Sequence, residues 1–187
     1  MATFASNDLT AQTERASIEK HHIGFVYGYG GQAKAALNEN YLYEVVFLQF
    51  EYYHRLFHSR KISVEWVVQP QYNLTRYRPD ESTGSDHKGY EYGVNLGILV
   101  KKWFSKSRIG VYLLLGVGPH YVSGTPSRQS PGFLFSDNIA LGVQIRMSRK
   151  SHLVIRPGFR HISNAGMKDP NGGVNNLVFS TGIVIGV

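Results

Sequence analysis

Apolar and polar residues alternate with a period of two along nearly all of the chain beyond residue 20, and this excludes a helical fold. Eight segments carry the pattern, at 21–30, 42–56, 61–77, 88–102, 108–122, 132–147, 151–164 and 173–187; successive side chains of a strand point to opposite faces, so each reads as a strand. The sixth has the clearest register. Phe133, Phe135, Ile139, Leu141, Val143, Ile145 and Met147 share one face, interrupted by Asp137, with Ser136, Asn138, Ala140, Gly142, Gln144 and Arg146 opposite. The fourth sets Tyr90, Tyr92, Val94, Leu96, Ile98 and Val100 against Glu91, Gly93, Asn95, Gly97 and Lys101. The third sets Ile62, Val64, Trp66, Val68, Tyr72 and Leu74 against Ser63, Glu65, Gln69, Gln71, Asn73 and Thr75. In the second, Glu44 and the pair Gln49 and Glu51 fall on opposite faces, so its register stays open.

These segments are about twice to three times as long as the usual globular strand of about 5–6 residues. Their connections alternate too: short after the second (His58-Ser59-Arg60), fourth and sixth (Ser148-Arg149-Lys150), longer after the first, third, fifth and seventh. An even number of long strands with short turns at one end and long loops at the other predicts an all-β fold, an eight-stranded antiparallel up-and-down transmembrane β-barrel of the outer-membrane type. It occupies 21–187 and follows a polar N-terminal segment at 1–20. That segment has neither the basic nor the apolar region of a secretory signal, so export implies a leader already removed.

Composition decides which face meets lipid. Many of the 20 glycines, with Ser, Asn, Gln, Glu and Arg, gather on one face, which suits the narrow interior of an eight-stranded barrel. The other face is nearly unbroken aliphatic and aromatic surface, with Tyr72, Tyr90, Tyr92, Tyr121 and Phe133 near the long loops as an interfacial girdle. A soluble lipid-binding barrel would reverse these faces. Strict alternation also accounts for a mean hydropathy of −0.22 without any run of the roughly 18 apolar residues that a spanning helix needs. The chain has no cysteine, which removes disulfides, cysteine-ligated zinc and thiol nucleophiles.

The last two strands break the pattern. His161 and Ser163 continue the outward face of the seventh (Leu153, Ile155, Pro157, Phe159), and Asn175 begins the outward face of the eighth. Polar groups on a lipid face are costly to desolvate and call for a reason. Serine needs a base to become a nucleophile, histidine serves as one near neutral pH, and a third group must hold the imidazole tautomer. The trio therefore points to hydrolysis of a membrane lipid ester, although His-x-Ser is by itself a short pattern that an ordinary interfacial pair would also give.

The stretch Arg160-His161-Ile162-Ser163-Asn164-Ala165-Gly166, followed by Pro170-Asn171-Gly172, resembles the signature of the lipid A 3-O-deacylase family, the PagL-type outer-membrane barrels. The resemblance implies Ser163 as nucleophile and His161 as general base, acting on an ester-linked acyl chain of lipid A in lipopolysaccharide. It also implies Asn164, the Gly166 backbone N–H and Asn171 as groups that position the site or bind the oxyanion. The family carries a glutamate where this chain has Asn175, so Asn175 is expected to orient His161, with Asp169 in the neighbouring loop as the weaker substitute. The competing expectation is a non-catalytic small outer-membrane barrel with a structural or adhesion role.

The remaining polar residues have simpler readings. Arg156 and Arg160 are expected to pair with Glu65 or Glu91 inside the barrel. Of the 20 basic residues, ten (Arg55, Arg60, Lys61, Lys101, Lys102, Lys106, Arg108, Arg146, Arg149 and Lys150) fall at the short-turn end, away from the proposed site. Arg76, Arg78, Lys88, Arg128 and Lys168 fall at the long-loop end, where lipid phosphates would lie. The net charge of +7 is not interleaved with aromatics, so a nucleic acid is not an expected partner. The other histidines show no metal-ligand spacing, and no metal or cofactor is called for. Monomer and homodimer both stay open.

Overall fold

The computed structural model describes residues 20–32, 41–59, 61–79, 84–104 and 108–187. The N-terminal segment, apart from Lys20, lies outside the described residues, as do Arg60 and Lys106 of the basic group. Eight strands follow one another: β1 (His21–Gln32), β2 (Tyr43–His58), β3 (Ile62–Tyr77), β4 (His87–Trp103), β5 (Ile109–Val122), β6 (Gly132–Arg146), β7 (Ser151–Ser163) and β8 (Val174–Gly186). Each pairs antiparallel with its neighbour in sequence, and β1 pairs with β8 to close the barrel. Closure leaves no sheet edge, the condition for a strand structure to stand in hydrocarbon.

The expected facing holds. Phe25, Leu96, Leu115, Ile139, Leu141, Phe179 and Ile183 are exposed on the outer surface, whereas Glu51, Glu65, Glu91, Arg156 and Arg160 are buried inside. This is the inverse of a water-soluble barrel. The register of β2 is now defined: Gln49 and Glu51 point inward with Tyr43, Val45, Phe47 and Tyr53, and Glu44 points outward to Arg76 at 2.6 Å. A register shift between Arg55 and Phe57 breaks the alternation near the short-turn end.

The interior is less uniformly small and polar than alternation suggests. Val26, Tyr53, Val67, Leu99, Tyr112, Leu114, Ala140, Val154 and Val184 form one buried apolar cluster. Tyr41, Tyr43, Val45, Phe47, Val122, Leu134, Ile162 and Val174 form a second. Rings therefore face inward as well as toward lipid, and glycines make room for them: the Tyr112 ring occupies the space where a side chain at Gly142 would stand.

Buried charges hold the layers together. Arg160 pairs with Glu91 at 2.7 Å, as expected. Arg156, however, pairs with Glu51 at 2.7 Å and not with Glu65 or Glu91. Glu65 instead binds Lys101 at 2.9 Å, so Lys101 is an interior residue and not part of the exposed basic end. Tyr43 donates to Glu91, Tyr53 donates to Glu51, and Gln69 and Asn73 complete the two carboxylate shells. Each buried carboxylate thus has a cation and further donors, the condition under which a buried ion is tolerated.

Candidate active site

Strand periodicity brings His161 and Ser163 to the outer surface at the long-loop end of β7, where both are half-buried. The ladders on either side supply their neighbours. On β8, Asn175 stands opposite His161. On β6, Asp137 stands opposite His161 and Phe135 opposite Ser163.

The imidazole is held by one short hydrogen bond, His161 Nδ1 to Asn175 Oδ1 at 2.6 Å. A carboxamide oxygen accepts, so the proton of this bond sits on Nδ1; in a neutral ring that is the tautomer a general base requires. Asn175 is in turn fixed through its backbone: its N–H donates to the Tyr41 hydroxyl at 2.6 Å, and that hydroxyl donates to the Asn175 carbonyl at 3.2 Å. Asn175, and not Asp169, is therefore the residue that orients His161. Asp169 contributes its backbone carbonyl, which accepts the Ser130 hydroxyl at 2.7 Å.

Ser163 lies on the same face two residues beyond His161, but no hydrogen bond joins its hydroxyl to the imidazole. The expected direct contact is not made in this state. Along a strand, side chains two positions apart sit roughly 6.5 Å from each other, so the pair meets only when its rotamers converge.

The β7–β8 loop is built by the asparagines of the motif. Asn164 is buried; its N–H donates to Asn171 Oδ1 at 2.9 Å, its Nδ2 donates to the Lys168 carbonyl at 2.5 Å, and its Oδ1 accepts the Gly166 N–H at 3.0 Å. Asn164 thus organises the loop, and the Gly166 N–H is engaged within it. The bond to Oδ1 fixes the Asn171 carboxamide. Ala165 and Gly166 both adopt positive φ, 54° and 79°, which folds the chain back sharply after the strand.

Two residues to which the sequence reading gives no role complete the site. Gly173, at φ 67°, lies beneath the His161 ring. Its N–H donates at 3.0 Å to Oε1 of Gln129, a buried residue of the β5–β6 loop. Ser130 and Arg128 tie the same two loops together through Pro170 and Gly172.

From His161 a trough of about 750 Å³ runs along the outer surface, lined by Asp137, Ile139, Phe159, Leu115, Val117, Leu96, Ile98 and Trp66. Its walls are almost wholly apolar, with Asp137, Asn138 and His161 as the polar and titratable side chains of the lining. At the loop end, Arg76 and Arg78 are matched by Glu44 and Asp86. Arg128 stacks over the Tyr41 ring at 5.0 Å and donates to the Gly172 carbonyl at 2.7 Å.

A family model described as lipid A 3-O-deacylase (PagL) matches residues 46–184. Among solved structures, the chain is similar to the outer membrane enzyme PagL, with a TM-score of 0.59 and 15% identity over 88% of this chain and 99% of that one. It is also similar to Neisserial surface protein A, NspA, with a TM-score of 0.57 and 11% identity over 90% of this chain and 97% of that one. No curated protein matches the chain. At such identities the structural likenesses speak to the fold.

Proposed function

Because the chain belongs to the lipid A 3-O-deacylase (PagL) family, we propose that it is an outer-membrane serine esterase that removes an ester-linked acyl chain from the lipid A of lipopolysaccharide. The observation that carries this reading is the 2.6 Å bond from His161 to Asn175 on the lipid-facing surface. An ordered, correctly tautomerised imidazole beside a serine is of little use to a purely structural barrel. Lipid substrate reaches such a site laterally, from within the membrane, and the apolar trough supports the seating of an acyl chain with its ester near His161.

In the proposed reaction, Ser163 turns toward His161 as the ester binds, since catalytic hydrogen bonds are often loose without substrate. His161 Nε2 takes the hydroxyl proton as Ser163 Oγ attacks the carbonyl carbon. The oxyanion is met by Asn171 Nδ2, held in place by Asn164 and the turn through Gly166. Collapse breaks the ester bond, the imidazolium protonates the departing sugar oxygen, and the acyl group remains on Ser163. Water, deprotonated by His161, then releases the fatty acid and restores the serine.

Mass spectrometry of lipid A from cells expressing the wild-type protein or Ser163→Ala tests this reading. The wild type is expected to yield lipid A lighter by one acyl chain, and Ser163→Ala none. Unchanged lipid A in both would favour a non-catalytic barrel.

A further inference from the structure

Asn175 leaves an electrostatic gap in this site. Its carboxamide fixes the imidazole, but a neutral oxygen does little to stabilise the imidazolium that forms when Ser163 is deprotonated. Asp137 is the one break in the apolar outward face of β6. It stands directly opposite His161 in the β6–β7 ladder, it is exposed on the outer surface, and both line the trough. Among the described residues it has no hydrogen-bond or ion-pair partner. A carboxylate turned toward lipid without a partner is costly, and such residues are usually retained for function.

We infer that Asp137 is the electrostatic partner of His161: the orienting and charge-stabilising roles that one acidic residue can combine are divided here between Asn175 on β8 and Asp137 on β6. This rests on the serine–histidine reading above. Opposed side chains in an antiparallel pair have β-carbons about 4.5–5.5 Å apart, near enough for a carboxylate to favour a cation across the ladder without touching it. The imidazole has neutral neighbours elsewhere, Ser163 on β7, Asn175 on β8 and Gly173 in the loop just before β8. The loop charges Lys168 and Asp169 are exposed, and Arg128 is tied to Gly172. Asp137 does not exchange a proton in this scheme. The proton passes from Ser163 to His161 and on to the leaving oxygen.

The test measures kcat and KM on lipid A in detergent micelles, with folding checked by the heat-dependent shift of the barrel on gels. Asp137→Asn is expected to lower kcat roughly 10- to 100-fold with KM nearly unchanged, and Asp137→Glu to stay within about threefold of wild type. Adding Asn175→Asp to Asp137→Asn, which returns the carboxylate from the opposite side of the ring, is expected to recover part of the loss. Wild-type kcat in folded Asp137→Asn, or an equal loss in the Asn and Glu variants, would overturn the inference. So would a double variant no faster than Asp137→Asn. Ser163→Ala, measured alongside, separates the two levels: an active Ser163→Ala defeats the serine–histidine reading itself. An inactive Ser163→Ala beside a fully active Asp137→Asn defeats only the role of Asp137.

Discussion

The His161 imidazole lies over the bare Cα of Gly173: a β-carbon added there would overlap the ring at Cε1 and stand 3.1 Å from Nε2. The glycine also has a positive φ of 67°, a backbone setting that other residues adopt only under strain. Gly173→Ala is therefore expected to push the imidazole off the Asn175 bond. A displacement of about 1 Å in a catalytic group costs on the order of 100-fold. Steady-state kinetics on lipid A would check this, with a barrel that still folds, because the loop lies outside the strand ladder.

Asn175→Ala removes the acceptor that fixes the imidazole tautomer. A triad whose third member leaves the wrong tautomer loses on the order of 10⁴ in kcat; a neutral carboxamide contributes less, so a fall of roughly 10²–10³-fold is expected, with KM little changed. Nitrogen-15 spectra of labelled protein would show the ring losing its single Nδ1–H form. A fully active Asn175→Ala would show that the 2.6 Å bond is incidental to turnover.

Inside the barrel, Arg160 and Glu91 are both fully buried and joined at 2.7 Å. Arg160→Met leaves Glu91 with a buried, uncompensated charge, and the expected cost is about 3–5 kcal/mol. Arg160→Met combined with Glu91→Leu removes both charges and is expected to regain most of that stability. Urea unfolding in detergent or lipid vesicles gives both values.

Leu115 is 48% exposed on the outward face of β5, part-way along the strand. If that surface meets hydrocarbon, Leu115→Arg costs about 2–4 kcal/mol. On a water-facing surface the same change would fall within about 0.5 kcal/mol. Reversible unfolding from lipid vesicles distinguishes the two, and a negligible effect would contradict a transmembrane barrel.

The eight strands, their facing and the outward trio of His161, Ser163 and Asn175 were legible in the order of residues alone, because a strand's period of two is a local property that each segment carries. That order also marked Asp137, as a polar break in the apolar face of the sixth segment, without saying what that break serves. Pairing across the barrel was not legible. Nothing local distinguishes Glu51 from Glu65 as the partner of Arg156, and the choice follows from which inward side chains meet at the same height once the sheet closes. The same holds around His161. Asp137 stands opposite His161 through the β6–β7 register, Tyr41 reaches Asn175 from 134 residues away, and Gln129 supports Gly173 across two loops. Alternation places a side chain on a face, but only closure and loop packing decide which side chains share a height on that face, and the chemistry of the site depends on that height.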